Sequence, residues 1–224
     1  MPKLILDGRA FKDAAIFTGN EETRYYLKGV CVEPSPTPGK VLAIATDGHR
    51  MAIIEAIGQV DASRPIISLD CLAAVKKAKA PWIMADDAGT VTVWDAGPIE
   101  IKSATDLPTE FGTLVRQQFP LSLIDGTFPE WQRVLPATLP ASKEAAPASF
   151  NSAYLADFAK VATPGKQSAG QAVRIVPNGD KPAWVFLPSR PDFVGVIMPM
   201  PGDQPELPSF LQAPSPIPQA IAAE

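Results

Sequence analysis

The chain has 224 residues, which is enough for one large domain or two ordinary ones. Its formal charge of −4 argues against a protein that coats nucleic acid with an overall basic surface, although it is compatible with a local basic stripe. Hydrophobic residues make up 46% and charged residues 20% of the chain, and this balance excludes global disorder.

The first third of the chain predicts one short helix followed by three strands. The helix covers Ala10–Phe17. Apolar alternating runs predict strands over Arg24–Val32, Lys40–Ala45 and Arg50–Ala56. A proline-rich stretch between the first two strands ends in Gly39 and is typical of a loop.

The middle third predicts another helix among strands. A strand over Pro65–Leu69 leads into a helix over Asp70–Lys79, for which Asp70 is a suitable N-cap. The further predicted strands are Trp82–Ala85, Thr90–Trp94, Ile99–Ser103 and Leu121–Ile124. Asp and Gly residues between the first two of these favour a hairpin turn.

The last third predicts the same order of elements once more. A helix over Ser152–Ala162, capped by Ser152, precedes strands over Ala172–Val176, Ala183–Leu187 and Phe193–Met198. The order strand, helix, three strands thus recurs near residues 3–57, 65–124 and 148–198. This recurrence predicts an α+β fold with antiparallel sheets.

Cysteine, histidine and hydropathy exclude several kinds of site. The chain has two cysteines and one histidine, too few for the usual zinc sites or for a disulfide framework, and we expect neither a metal nor another cofactor. A reducing, cytoplasmic compartment fits this composition. Because no apolar run approaches 18 residues, we expect neither a signal peptide nor a membrane span.

Four sequence segments carry a family resemblance. They are Thr23–Val30, Ala45–Ala52, Leu123–Pro136 and Val196–Met200. Together and in this order they resemble the bacterial sliding clamp, the beta subunit of DNA polymerase III. The resemblance implies the DNA-clamp fold, which is built from modules of one strand, one helix and three strands.

The resemblance also implies a domain division in which part of the family's chain has no counterpart. Residues 1–136 look like the family's middle domain, with an insertion around Leu107–Gln118. Residues 148–200 look like the second half of its third domain, after a linker over 137–147. A proline-rich tail over 201–224 follows, and we expect it to be mostly extended or disordered.

The function implied by the resemblance is that of a non-catalytic processivity factor, an accessory subunit of DNA polymerase. Such a clamp holds double-stranded DNA and tethers polymerase and other proteins, whose short linear motif enters an apolar pocket. Carried over residue by residue, the pocket comprises Arg24, Leu27, Thr46, Gly48, His49, Arg50, Met51, Pro129, Arg133, Val134, Val196, Met198, Pro199 and Met200. Its three arginines, Arg24, Arg50 and Arg133, are suited to peptide carbonyls or an acidic flank. Pro201 stands where the family usually has arginine.

The candidate DNA-binding residues are lysines on two predicted helices. They are Lys76, Lys77, Lys79 and Lys160. Clamp helices line the bore of the ring and meet phosphates through basic side chains. The alternative interpretation is a solvated helix end that complements the helix dipole.

Two other functions are compatible with the same residues. A clamp mimic would display the pocket and bind the partners of a clamp without encircling DNA. An enzyme built around His49 has little support, because no activated nucleophile stands beside this histidine in the sequence. In either binding role, the missing half domain predicts a homo-oligomer in which residues 148–198 are covered by another copy.

Overall fold

The computed structural model describes residues 4–96, 106, 115–136, 148–162 and 172–201. Its strands are β1 (Leu4–Asp7), β2 (Gly29–Pro34), β3 (Lys40–Thr46), β4 (Arg50–Val60), β5 (Ile66–Ser68), β6 (Pro81–Ala85), β7 (Val91–Asp95), β8 (Val115–Phe119), β9 (Leu123–Ile124), β10 (Arg174–Asn178), β11 (Lys181–Phe186) and β12 (Phe193–Ile197). The α-helices in this part of the chain are α1 (Gly8–Ala14), α2 (Leu72–Lys77) and α3 (Ser152–Val161). The predicted strand over Ile99–Ser103, the linker, and the tail beyond Pro201 lie outside the described residues.

The strands form one continuous antiparallel arrangement. Hydrogen-bonded neighbours run in the order β8-β7-β6-β1-β4-β3-β2-β5-β9. The first strand of each module pairs with a strand of the other module: β1 pairs with β6, and β5 pairs with β2. This exchange ties the two modules of residues 4–136 together through backbone hydrogen bonds.

The C-terminal strands join this arrangement at β4. The second half of β4 pairs with β1, as in the register Leu4↔Val60. The first half pairs with β12, from Phe193↔Ile54 to Ile197↔Arg50. Strands β11 and β10 then follow outward from β12. The third module is therefore docked on the first within the same chain.

The apolar side of α3 is covered inside the chain. Phe158 is fully buried, and its ring lies 4.9 Å from that of Phe17 and 6.1 Å from that of Phe193. Gly195 leaves space for it, because a Cβ there would lie 2.3 Å from a Phe158 ring carbon. The prediction was that another copy covers residues 148–198, but on this side of α3 the covering residue is Phe17 of the first module.

Several local predictions were wrong. Residues 24–27, expected to begin a strand, belong to a 3-10 turn (Glu22–Leu27), and the strand starts at Gly29. Ser68 caps the 3-10 turn (Leu69–Cys71) that precedes α2, through a hydroxyl that accepts from the N–H of Asp70, and α2 itself starts after Cys71 without a side-chain cap, so Asp70 is not the cap. Asn151 rather than Ser152 caps α3, through its side-chain oxygen. Strand β8 lies at the end of the predicted insertion.

Candidate peptide-binding pocket

The turn between β3 and β4 forms one side of the candidate site. Gly48 has a φ of 91°, a conformation that glycine adopts without the usual penalty. The Asp47 carboxylate accepts from the backbone N–H groups of His49, at 2.8 Å, and Arg50, at 3.0 Å. The Thr46 hydroxyl accepts from the Gly48 N–H at 3.0 Å. These local bonds fix the Thr-Asp-Gly-His-Arg segment as a tight turn.

Strand β12 brings the far end of the chain to this turn. Val196 lies opposite Met51, and the Met198 N–H donates to the His49 carbonyl at 2.8 Å. A cavity of about 190 Å³ opens here. It is lined by Arg24, Tyr26, Leu27, Thr46, Gly48, His49, Arg50, Met51, Pro129, Glu130, Trp131, Val134, Val196 and Met198.

The pocket is apolar, and its rim is exposed. Leu27, Met51 and Val196 are buried in its floor. At the rim, Val134 is 49% exposed and Met198 is 39% exposed, so two large apolar side chains face solvent. An open apolar concavity of this kind suits an apolar side chain of a partner, and methionine adapts to anchors of different shape.

The structure brings most of the predicted site residues to this cavity, but not all. Arg133, Pro199 and Met200 are outside the lining. Arg133 is exposed on the turn that carries Val134. The Met200 N–H donates to the Ser149 carbonyl at 2.7 Å, in an isolated bridge beyond the end of β12.

Three lining residues were missing from the predicted set. They are Tyr26, Glu130 and Trp131. Each stands beside a predicted residue in the sequence, so the same two segments contained the signal. The predicted set contains only positions that match the family, and these three neighbours are outside it.

Arg50 connects the pocket to the third module. Its side chain is 8% exposed. The guanidinium donates to Asp47 at 3.1 Å, to the carbonyl of Ile16 at 3.2 Å, and to Asp157 of α3. It also lies over the Tyr154 ring, 4.6 Å from the centroid. These contacts give Arg50 a linking role, and its predicted use in fixing peptide carbonyls has to compete with them.

The partner of Arg50 in α3 is held as a carboxylate. Burial by itself raises the pKa of Asp157, but the hydrogen bonds from Lys160 and Arg50 outweigh it, so that pKa lies below its usual value.

A second link between the modules joins Arg190, in the turn before β12, to Asp13 at 2.8 Å. The hydrogen bonds that Arg190 donates, first to Asp192 and then to Asp13, outweigh the effect of burial and raise the pKa of Arg190.

Arg24 and His49 provide the polar side of the pocket. Arg24 donates to both carboxylate oxygens of Glu21, at 2.8 and 2.5 Å, which orients its guanidinium beside Gly48. The exposed His49 ring stacks on Tyr154 with 6.0 Å between centroids. Nothing in this arrangement resembles a catalytic dyad, because the adjacent Asp47 carboxylate is bonded to backbone N–H groups and to Arg50.

Comparisons with known proteins give the architecture a name. The solved sliding clamp of Bartonella birtlesii, bound to griselimycin, covers 88% of this chain with a TM-score of 0.60 and 18% identity. The solved polymerase III beta of Caulobacter crescentus covers 89% with a TM-score of 0.63 and 20% identity. The chain has the fold of the bacterial sliding clamps. The resemblance seen in the sequence is confirmed at this level.

The sequence of the chain also resembles sliding clamps, over part of its length. The beta sliding clamp of Caulobacter vibrioides is 31% identical over 121 residues, which make up 52% of this chain and 28% of that protein. The chain covers 65% of the Bartonella birtlesii clamp structure. It therefore spans less than two thirds of the length of these relatives. No family model matches the chain.

The lysines predicted to meet DNA lie on the surface of this clamp fold. Lys76, Lys77 and Lys79 are exposed at the end of α2 and just beyond it. Lys160 is exposed on α3 and paired with Asp157, which also binds Arg50. Lys160 therefore differs from the other three lysines in having a carboxylate partner, which it shares with Arg50.

Two other kinds of site can be considered for the residues that the structure describes. Among them, no group of three or more His, Cys, Asp or Glu side chains is placed to hold a metal ion. No helix in this part of the chain has the length and apolar character needed to cross a membrane.

Proposed function

We propose that the chain is a sliding-clamp-like processivity factor that binds partners through the pocket between β4 and β12. The observation that carries this proposal is that residues 46–51 and 196–198, about 150 positions apart, meet at one open apolar cavity that residues of 24–27 and 129–134 complete. Such a pocket accepts a short linear motif without catalysing a reaction. Tethering then works by effective concentration, because partner and clamp share the same DNA.

The pocket can be tested with griselimycin, since the Bartonella birtlesii clamp binds this compound in its solved structure. Calorimetric titration of the full chain is expected to show saturable binding. Met198→Ala is expected to weaken it by about 1–3 kcal/mol through lost apolar contact. Met84→Ala is the matched control, because Met84 lies on β6 outside the pocket. Absent binding by the wild-type chain, or equal binding by Met198→Ala, contradicts the proposed pocket.

The proposal includes holding double-stranded DNA and tethering a DNA polymerase. The exposed lysines of α2 support a DNA-facing surface. Retention on a closed circular plasmid, followed by loss when the plasmid is linearised, is expected of a clamp that encircles DNA. Equal behaviour on both templates contradicts encirclement.

We further propose that the chain divides into the domains named above and self-associates through residues 148–198. In the described residues, β8, β9 and β10 each pair with a single strand, namely β7, β5 and β11, so three strands have no second neighbour there, and β10 is the one within residues 148–198. Pro177 in β10 lacks an N–H, which weakens that edge for strand addition. Light scattering at micromolar concentration is expected to show an oligomer. A strictly monomeric species contradicts a ring.

A clamp mimic is the second candidate, and the pairing of Lys160 favours it. Because Lys160 lies against the Asp157 carboxylate, the α3 surface is less basic than the sequence predicted, while most of the predicted pocket residues line one cavity. A mimic is expected to bind griselimycin and to be retained on neither circular nor linear DNA. Retention on circular DNA excludes this candidate.

A further inference from the structure

One wall of the pocket is a short segment with little support of its own. Pro129, Glu130, Trp131 and Val134 all line the cavity. They belong to or precede a four-residue 3-10 turn (Trp131–Val134), whose start has no side-chain capping bond. A 3-10 turn of this length is weak in isolation. The position of this wall therefore depends on what lies behind it.

A buried carboxylate of β2 lies behind the wall. Glu33 is 8% exposed, and its oxygen Oε1 accepts from the Trp131 indole Nε1 at 3.0 Å. The same oxygen accepts from the Arg64 Nε at 2.8 Å. Hydrogen bonds to an ionised acceptor are stronger than neutral ones, so this is a firm attachment for the indole.

Arg64 holds the same segment at two further points. It donates to the Glu130 carboxylate at 2.6 Å and to the Pro129 carbonyl at 3.2 Å. Its φ of 52° is unusual for a residue with a side chain, and such backbone strain is found where the surroundings hold a residue in place. Arg64 thus joins Glu33 to the beginning of the wall.

Cys31 completes the surroundings of Glu33. Its Sγ lies 3.9 Å from the same carboxylate oxygen. Burial, followed by the Glu33 charge, raises the pKa of Cys31 to about 12. The thiol therefore stays neutral and able to donate, and it places no second negative charge beside Glu33.

We propose that Glu33 and Arg64, neither of which lines the cavity, are positioning residues for the peptide pocket. They hold Trp131 and the turn that carries Val134 in the geometry that receives a partner's apolar side chain. This inference rests on the proposed function of the pocket. It adds that affinity is controlled by an ionic cluster behind one wall.

The test compares two substitutions at Glu33 in the full chain. Glu33→Gln keeps an oxygen that accepts from the indole but removes the charge. Glu33→Leu removes the acceptor. We expect griselimycin affinity to fall about threefold in the first and about tenfold in the second. Glu55→Leu is the matched control, because Glu55 is another part-buried, hydrogen-bonded carboxylate and lies outside the pocket.

The indole resonance of Trp131 separates positioning from a general loss of stability. In a ¹H–¹⁵N spectrum this peak is assigned by its disappearance in Trp131→Phe. We expect it to shift in both Glu33 variants while the peaks of the other three tryptophans stay in place. If Glu33→Leu does not fold, Arg64→Met and Glu33→Gln supply the same comparison.

The outcomes distinguish this inference from the proposed function. If the wild-type chain does not bind griselimycin, the proposed pocket fails, and the inference fails with it. If the wild-type chain binds, the Trp131 peak moves and the Glu33 variants bind as tightly as wild type, the inference alone is overturned. Graded loss of affinity with an unchanged Glu55→Leu control supports it.

Discussion

The pocket and the exposed lysines Lys76, Lys77 and Lys79, at the end of α2 and just beyond it, are built in different ways. Three distant parts of the chain meet at the pocket, and backbone pairing between β4 and β12 sets their positions. The lysines lie within four residues of one another, and their exposure requires only a short helix. A substitution that disturbs the packing of the third module on the first should therefore alter the pocket and leave the lysines unchanged.

Arg50→Met is expected to have the largest effect. It removes a buried guanidinium and leaves the carboxylates of Asp47 and Asp157 without their shared partner. We expect the free energy of unfolding to fall by about 2–4 kcal/mol in urea denaturation, together with weaker griselimycin binding. Arg133→Met is the control, since Arg133 is exposed and outside the lining. Equal losses in the two variants contradict the linking role of Arg50.

Gly195→Ala tests the same docking from the apolar side. The added methyl group meets the buried Phe158 ring, so α3 or β12 has to shift. We expect a loss of about 1–3 kcal/mol of unfolding free energy and a reduced affinity at the pocket, because Val196 and Met198 follow directly. Ala159→Ser, on the exposed side of α3, is expected to change neither. The contrary result is an unchanged free energy of unfolding together with weaker binding of DNA by the lysines.

Glu55 allows a pH test away from the pocket. Hydrogen bonds from Lys40, Thr37 and Ser35, in that order, lower the pKa of Glu55 to about 2 from 4.5. Its contribution to stability is complete above pH 4.5 and is lost as the pH falls through about 2. Because the side chain is 28% exposed, we expect only about 1 kcal/mol, absent from Glu55→Gln. Identical acid denaturation profiles of the two chains contradict this assignment.

The combined substitution of Lys76, Lys77 and Lys79 by Gln is expected to have the smallest effect on stability. These side chains are exposed, so the unfolding free energy should change by about 0.5 kcal/mol or less per site and griselimycin affinity should stay the same. Any loss appears in DNA retention and in its salt dependence. Thermal melts and calorimetry measure the first two quantities. A change in griselimycin affinity in this variant would contradict the independence of the pocket from the lysines.

The order of elements could be predicted from the sequence because alternation and turn residues are local signals. The strands predicted over Lys40–Ala45 and Arg50–Ala56 are present as β3 and β4, and the turn between them has Gly48 at positive φ. The segment from Arg24 to Leu27 misled the strand prediction. Its aromatic residues resemble a strand, but it forms a 3-10 turn with Tyr25 half exposed. Tertiary packing outweighed local propensity there.

The candidate site was predictable only through the family resemblance. No periodicity indicates that Val196 lies opposite Met51, because the pairing joins distant parts of the chain. The bond between Glu33 and Trp131 spans 98 positions and had no signal in the sequence. The burial of Phe158 against Phe17 was likewise missed, because the prediction treated the third module as separate from the first.

One edge of the eleven-residue strand β4 is divided between two neighbours, β12 and β1, while β3 runs along the other edge. A slip of β4 by one residue would turn every side chain to the opposite face at both ends at once. The strand thus sets the register of both the N-terminal and the C-terminal strands that pair with it. Insertions or deletions within it should be tolerated far less than changes of equal length in the loops on either side.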